Sequence, residues 1–541
     1  MPTQETIYDV IGLGFGPANL AVAGVFVERA GRSLAVPLSK VLFIERQEGF
    51  GWHPGMLLPG ARMQISFLKD LATLRSPQSE ITFVSYLHSQ NRLLDFINRG
   101  SNFPTRKEYS DYLAWAARFV QGKGVTVVYG ENVVGVCKKD TKTIEIQSTV
   151  LSTGKRVVRL TKNLIISPGG EPRIPKPLES IQDQLMGRII HSSTYLMSVE
   201  VLLKSLQGEN FLGRPFRIAV IGSGQSAAEV ILELHSRLQS VTHTSEDNHT
   251  LDMIIRKGSL KPSDDSPFSN EIFNPDDTDI VFGLRSSSGR HRIRKEYANT
   301  NYGVVNHQTL EQEAQLYEIL YEQKLDDGIY KRTGSLVPEK IPRINILPYS
   351  EILSADVHNL EGRRASGNER PGPISVTVQH TLTHQVYQKV YDAVICATGY
   401  ERKRTQEDVR LDVETGPEER GMAGELLTSE SVDHIADDEG NSGGGTTTTG
   451  PSTPITPQSS VEDHFPKRQK TVHISRAYRL LPKSQDPNEC LEARIYVQGV
   501  AEETHGLSDT LLSVAGVRAG EIVDDICADL NDVGLAAPRA L

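Results

Sequence analysis

Two glycine-rich turns, each following a run of apolar strand formers and each opening a helix, constrain this chain more than any other feature. The first is Tyr8-Asp9-Val10-Ile11-Gly12-Leu13-Gly14-Phe15-Gly16-Pro17-Ala18-Asn19-Leu20. The second is Arg217-Ile218-Ala219-Val220-Ile221-Gly222-Ser223-Gly224-Gln225-Ser226-Ala227-Ala228-Glu229. Gly12, Gly14 and Gly16, and likewise Gly222 and Gly224 with the small Ala227, let the backbone turn tightly and approach a pyrophosphate. The helix N-terminus that follows presents free N–H groups and a positive dipole to it. One such turn is weak evidence, because glycine turns are common; two in strand–turn–helix context point to two dinucleotide sites. A flavin and a nicotinamide cofactor in one chain imply electron transfer between them. The expected fold class is α/β, with two Rossmann-like dinucleotide-binding domains, one for FAD and one for NADPH, the second inserted in the first.

The strand after each loop carries cofactor information. Residues 41–46 read as the next strand of the first unit, and Glu45 ends it where a dinucleotide fold sets a carboxylate against a ribose diol. The separation exceeds the usual ~20 residues, because residues 30–40 read as an inserted loop. In the second unit residues 251–255 read as the matching strand, ended by Arg256 and Lys257. A carboxylate there favours the free ribose hydroxyl of NAD; two cations favour the 2′-phosphate of NADP.

Two strands, 163–166 and 391–396, each run into a Gly-containing turn and bracket the second loop. They mark where the chain leaves the first domain and returns to it. The expected boundaries are 1–205 for the first part of the FAD-binding domain, 206–398 for the NADPH-binding domain, 399–405 for a return linker, and 468–541 for the C-terminal part of the FAD-binding domain, with substrate-site residues. Residues 406–467 are acidic and rich in Gly and Thr, and the stretch 437–451 within them is free of large apolar side chains. Such a stretch does not offset the entropy of ordering, so a disordered insertion is expected. Residues 109–120 read as an amphipathic helix, 125–129, 133–136 and 143–147 as short strands, and 50–86 as loops. A late strand at 493–499 leads to a turn at Gly506.

The formal charge of −10 over 541 residues argues against a nucleic-acid partner, which needs a basic face. The cysteines Cys137, Cys396, Cys490 and Cys527 form no C-x-x-C pair, so neither a metal site nor a redox disulfide is indicated. The N-terminus has no basic and apolar leader pattern. No apolar run approaches the roughly 18–20 residues of a membrane span. A cytoplasmic protein with no membrane partner is expected.

Four further stretches are more specific than the glycine turns: Met63-Gln64-Ile65-Ser66-Phe67-Leu68-Lys69-Asp70-Leu71-Ala72-Thr73-Leu74-Arg75, Asp264-Asp265-Ser266-Pro267-Phe268-Ser269-Asn270-Glu271-Ile272-Phe273-Asn274-Pro275, Ala298-Asn299-Thr300-Asn301-Tyr302 and His505-Gly506-Leu507-Ser508-Asp509. With them the chain resembles the fungal L-ornithine N5-monooxygenases of siderophore biosynthesis, flavin-dependent N-hydroxylating monooxygenases, over nearly its whole length outside the acidic insertion. The resemblance implies that Gly12, Gly14, Gly16 and Asn19 form the FAD loop, which ends in a small polar residue, and that Gln64 lies in the flavin pocket. It implies Arg256 as the NADP 2′-phosphate ligand. It places Lys69 and Asn270 on the ornithine carboxylate, Asn301 between substrate and retained nicotinamide cofactor, and Ser508 late in the active site. Asp509 falls at a helix start that closes over the flavin, and is read with the cofactor. Lys69, Asn270 and Asn301 are the residues expected at the catalytic centre.

The implied reaction is NADPH- and O2-dependent hydroxylation of the ornithine side-chain amine through a C4a-hydroperoxyflavin, the first step of hydroxamate siderophore biosynthesis and hence of iron acquisition. A homotetramer is implied as well. Two alternatives stay open. L-Lysine N6-monooxygenation differs by one methylene, worth only about 1–3 kcal/mol of discrimination, and pocket depth is not read from sequence. A flavin disulfide reductase shares the two-dinucleotide plan but needs the C-x-x-C that is absent here. His53 and His505 read as packing or cofactor contacts, because this chemistry demands no histidine base.

Overall fold

The structure, a computed structural model, describes residues 6–31, 40–185, 187–208, 213–263, 266–267, 271, 273–284, 286, 288–293, 295, 304–306, 316–334, 341–357, 372–401, 410–412, 473–481, 491–506, 509 and 511–534. Its organising strand is Ile7–Leu13, whose apolar run lies parallel to Val41–Ile44 on one side and to Arg156–Ile166 on the other. Alternate residues of these strands feed two separate cores. Val10, Phe43 and Ile165 pack on one face, and Ile11, Leu42 and Leu164 on the other. Burial on both faces is what continuous apolar runs in parallel strands require. The eight-stranded sheet runs Arg410–Asp412, Glu131–Lys138, Ile144–Val150, Arg156–Ile166, Ile7–Leu13, Val41–Ile44, Thr126–Val128, with Arg494–Val497 also pairing Arg156–Ile166.

The helix Pro17–Gly31 starts at the first glycine turn and packs on Ala515–Gly534, which returns from the far end of the chain. Arg106–Gly122 completes that layer. Its Thr105 Oγ1 accepts from the Glu108 N–H at 3.1 Å, satisfying an end donor of the helix, and the helix buries Tyr109, Tyr112, Leu113, Ala116, Ala117 and Val120.

The second sheet is wholly parallel, in the order Arg343–Leu347, Thr250–Ile254, Arg217–Ile221, Ala393–Cys396, Ile189–His191. Its glycine turn opens the helix Gln225–Gln239. An antiparallel sheet of Ser350–Val357, Ile374–His380 and Val386–Tyr391 covers it, packing Val376 and Val378 onto Ala219, Ile221 and Ile254. The chain runs from Arg156–Ile166 into this second unit and comes back to pair that same strand with Arg494–Val497, so the second unit is inserted in the first. The two connecting segments, Glu171–Pro172 and Tyr400–Glu401, pair antiparallel. Gly169 and Gly399 beside them take φ of +73° and +76°, left-handed values that side chains with a Cβ resist.

The second sheet takes its first strand, Ile189–His191, from residues ahead of position 206, because Ile189 and Ile190 are buried against it. Within 50–86, read from sequence as loops, Phe83–Ser89 is a helix; Thr82 Oγ1 caps it by accepting from Ser85 N–H at 3.0 Å. Within 406–467, Arg410–Asp412 forms a parallel edge strand against Gly135–Cys137, and the rest of that stretch lies outside the described residues. Among the described residues no helix is long and apolar enough to cross a membrane.

Candidate active site

The first glycine loop is shaped from within. Gly14 has φ +81°, and a Cβ there would sit 2.6 Å from the Ser167 carbonyl oxygen. A Cβ on Gly12 would strike the Phe43 ring at 2.3 Å, whereas Gly16 faces open space. The loop is thus closed behind and clear in front, the form a pyrophosphate cradle takes. Asn19 is fully buried. Its Nδ2 donates to the carbonyls of Leu13 at 3.0 Å and Gly14 at 2.7 Å. Its Oδ1 accepts from Ser167 Oγ and Gln498 Nε2, each at 3.0 Å. Asn19 therefore holds the loop's shape. Glu45, at the end of its strand, accepts from the Phe15 N–H at 2.7 Å and the Gln47 N–H at 2.9 Å. Each oxygen keeps a further lone pair for a ribose hydroxyl.

The second loop repeats the device. Gly222 has φ +131°, and a Cβ there would lie 2.3 Å from the Ala397 carbonyl oxygen. Gly224 caps the helix Gln225–Gln239, and buried Ala227 lets that helix sit close to the turn. At the end of the neighbouring strand Arg256 is exposed beside Lys257. Burial lowers the Lys257 pKa, and the charges of Lys261 and Arg256 lower it further. Three cations so gathered would attract an anion. Lys261 had no distinguishing signal in sequence, since it lies beyond the strand end that singles out Arg256.

The two units meet beside the second loop. Gln64 Nε2, from the first unit, donates to Gln225 Oε1 at the start of the second unit's helix, at 3.4 Å. One turn on, Glu229 pairs with Arg106 at 2.7 Å with both side chains largely buried. Burial raises the Glu229 pKa against the opposing pull of Arg106.

Lys69 is half-buried, with Nζ 5.9 Å from the centre of the Phe273 ring. Its neighbour Asp70 is buried and accepts from the N–H groups of Ala72, Thr73 and Phe83 at 2.9, 2.6 and 2.6 Å. Those bonds fix the turn that presents Lys69. The helix Asp277–Gly283 follows Phe273, and its Phe282 ring packs 5.1 Å from the ring of His505. His505 is fully buried and stacks on Tyr478 at 4.1 Å; burial lowers its pKa, so it is a packed neutral ring. His53 takes φ +45° and its pKa is lowered, by burial first and then by Arg106. Asp509 turns inward: Oδ1 pairs with Arg518 at 3.0 Å and Oδ2 accepts from the Ala501 N–H at 2.7 Å. Asn270, Asn301 and Ser508 lie outside the described residues. A cavity of ≈ 510 Å³ lined by Arg29, Leu74, Asn274 and Asp524 lies at the C-terminal end of Pro17–Gly31, opposite the glycine loop.

Residues 6–402 match the family model described as L-lysine 6-monooxygenase/L-ornithine 5-monooxygenase. The L-ornithine N(5)-monooxygenase of Ceriporiopsis subvermispora is 46% identical, the alignment covering 97% of this chain and 99% of that relative. The chain belongs to the L-lysine 6-monooxygenase/L-ornithine 5-monooxygenase family. Among solved structures, this family member is similar to the ornithine hydroxylase of Pseudomonas aeruginosa, at 32% identity and TM-score 0.70, covering 97% of this chain and 100% of that one. It is also similar to the ornithine N-hydroxylase of Kutzneria sp. 744, solved with reduced FAD, NADP⁺ and L-ornithine, at 27% identity and TM-score 0.69, covering 97% and 100%. The two-unit α/β architecture is thus the family's own.

Proposed function

We propose that this family member hydroxylates the side-chain amine of L-ornithine with NADPH and O2 on bound FAD, opening hydroxamate siderophore biosynthesis. The observation that carries the reading is the contact of the two units beside the second glycine loop: Gln64 to Gln225 at 3.4 Å and Arg106 to Glu229 at 2.7 Å hold the start of the nicotinamide-side helix against the flavin-side unit. Electron transfer between two cofactors needs that juxtaposition. The family match and the ornithine-named relatives support the substrate.

The residues divide the work as follows. The Gly12–Gly16 loop and the N-terminus of Pro17–Gly31 take the FAD pyrophosphate, with Glu45 on the ribose and Gln64 at the flavin. Gly222, Gly224 and the next helix take that of NADPH, with Arg256, Lys257 and Lys261 around the 2′-phosphate. Lys69, joined by Asn270, holds the ornithine carboxylate by a charge-assisted hydrogen bond. Asn301 and Ser508 complete the pocket. Bound in these sites, the cofactors supply electrons and, with O2, the oxygen atom that the amine receives. The amine acts in its neutral form; free in water it titrates near 10.4, and a pocket that strips its water lowers that value. The FAD-binding part then comprises the eight-stranded sheet and its helices, and the NADPH-binding part the inserted sheet. We place the protein in the cytoplasm as a homotetramer.

The test is NADPH oxidation and hydroxylamine yield with L-ornithine and with L-lysine, in wild type and Lys69→Ala. Hydroxylamine should form from ornithine, and Lys69→Ala should raise the ornithine KM by orders of magnitude with NADPH-driven flavin reduction preserved. Equal efficiency on lysine would overturn the substrate, and equal loss of flavin reduction would move Lys69 to the cofactor site.

A further inference from the structure

A single buried chain of hydrogen bonds runs from the first glycine loop to the turn that carries His505 and Asp509. At one end Asn19 grips the carbonyls of Leu13 and Gly14. Gln498, only 2% exposed, donates through Nε2 to Asn19 Oδ1 at 3.0 Å and to Ser167 Oγ at 2.9 Å. Its Oε1 accepts from Arg518 Nε at 3.1 Å. Arg518, 4% exposed, then donates through Nη1 to Asp509 Oδ1 at 3.0 Å and to the Asp509 carbonyl oxygen. Its guanidinium also lies over the Tyr478 ring, which stacks on His505. At the far end Asp509 Oδ2 accepts from the Ala501 N–H at 2.7 Å. The partners come from the first helix, the end of Arg156–Ile166, the end of Arg494–Val497 and the last helix, so no one element builds the chain.

Most of these groups have their main hydrogen-bonding capacity used, and the one guanidinium carries a carboxylate partner. A satisfied network in a low-dielectric interior is stiff, and its members do not move independently. The turn it holds packs on the helix that follows Phe273, the ring beside Lys69. A Cβ on Gly506 would lie 3.1 Å from Val281 of the helix Asp277–Gly283, and His505 packs on Phe282 of the same helix. We propose that Gln498 and Arg518 are positioning residues that set the FAD pyrophosphate loop together with Asp509 and the Ala501–Gly506 segment, so that cofactor seating and the wall on the Lys69 side are coupled. The inference rests on the FAD-dependent reading above and assigns roles to two residues that touch neither the pyrophosphate loop's backbone nor the nicotinamide site.

Titration of the apoprotein with FAD, in wild type, Arg518→Lys and Asp509→Asn, tests it. Lysine keeps the charge but not the planar fork that serves Gln498 and Asp509 together; asparagine keeps the shape but not the charge. Both variants should bind FAD more weakly by roughly 5- to 150-fold, the usual span of coupling between separate sites, although neither residue bonds to the loop. The visible spectrum of bound flavin should shift in both. The ornithine KM should rise while the NADPH KM stays, because the second loop lies outside the chain of bonds. A mere core fastener would lower the melting midpoint and leave the FAD dissociation constant and ornithine KM alone; that result in folded variants overturns the proposal. Should either variant fail to fold, Gln498→Glu supplies the same decision: it still pairs with Arg518 but no longer donates to Asn19, and an unchanged FAD affinity there is equally fatal. A wild-type apoprotein that takes up no FAD at all would overturn the functional reading instead.

Discussion

Arg256 shows how far one residue can be read. Its place at the end of the second unit's strand, beside Lys257, is a matter of spacing from a glycine loop, and the structure adds what spacing does not show, a third cation, Lys261, acting on Lys257. Mutual repulsion among Arg256, Lys257 and Lys261 is a cost to the free protein that a dianionic phosphate removes. Arg256→Ala should lose roughly 1.5–3 kcal/mol of NADP⁺ binding, typical of a hydrogen bond to a charged group, with little change for NAD⁺. Dissociation constants for both nucleotides check this; an equal loss for NAD⁺ would place Arg256 elsewhere. Other residues were less legible. Asn19 and Asp509 look in sequence like residues that face a ligand, and both spend their polar atoms inside the protein, on partners hundreds of residues away in one case. Nothing local in a sequence marks such a partner. Gln498 and Arg518 carry no motif: the pairing of Arg494–Val497 with Arg156–Ile166 brings Gln498 to Asn19, and the return of the last helix onto the first brings Arg518 to Gln498.

Elements whose order is local were legible, and those ordered by distant contacts were not. The strand Ile7–Leu13, the helix Gln225–Gln239 and the helix Arg106–Gly122 follow from apolar periodicity and end residues. The short helix Phe83–Ser89 owes its place to Phe83, Tyr86 and Leu87 entering an aromatic core, which no seven-residue pattern announces. The second sheet is fastened by histidines of a similar kind. His249 Nδ1 accepts from the Phe216 N–H at 2.9 Å while Nε2 faces the Val241 carbonyl at 3.0 Å, and His191 Nδ1 accepts from the Ser193 N–H at 3.1 Å while Nε2 faces the Gly399 carbonyl at 2.9 Å. An acceptor nitrogen must be unprotonated, and burial lowers both pKa values from 6.5. A histidine with a depressed folded pKa contributes stability that is complete above its unfolded pKa and is lost as pH falls from there towards the folded value. The melting midpoint should therefore drop as pH is lowered from about 7.5 to 5.5, across the ordinary histidine range. Asp70 and Glu229, with raised pKa values, act in the opposite sense from lower pH upward, so the decisive quantity is a difference in slope. His249→Asn keeps an acceptor for Phe216 and removes the titration. It should melt lower at neutral pH but with a shallower pH dependence, and a slope equal to wild type would mean that His249 does not titrate on unfolding.

In the whole molecule, two sheets with one glycine loop each are joined by a paired double connection and meet at Gln64–Gln225 and Arg106–Glu229. That plan was readable from the two loops and the strands that bracket the second. The substrate pocket was readable only as a resemblance, because the blocks around Asn270 and Asn301 have no periodicity that ties them to an element. The proposed chemistry uses that plan: a nicotinamide cofactor held by the inserted unit would supply electrons, a flavin held by the first unit would meet O2, and Lys69 is assigned to orienting the amine's carrier. The most direct measurement is turnover with NADPH, L-ornithine and heavy-isotope-labelled O2, with the product read by mass spectrometry. The account predicts N-hydroxyornithine carrying a single labelled oxygen atom, formed in step with NADPH consumed. Hydrogen peroxide without hydroxylated product, or product whose oxygen is unlabelled, would contradict it.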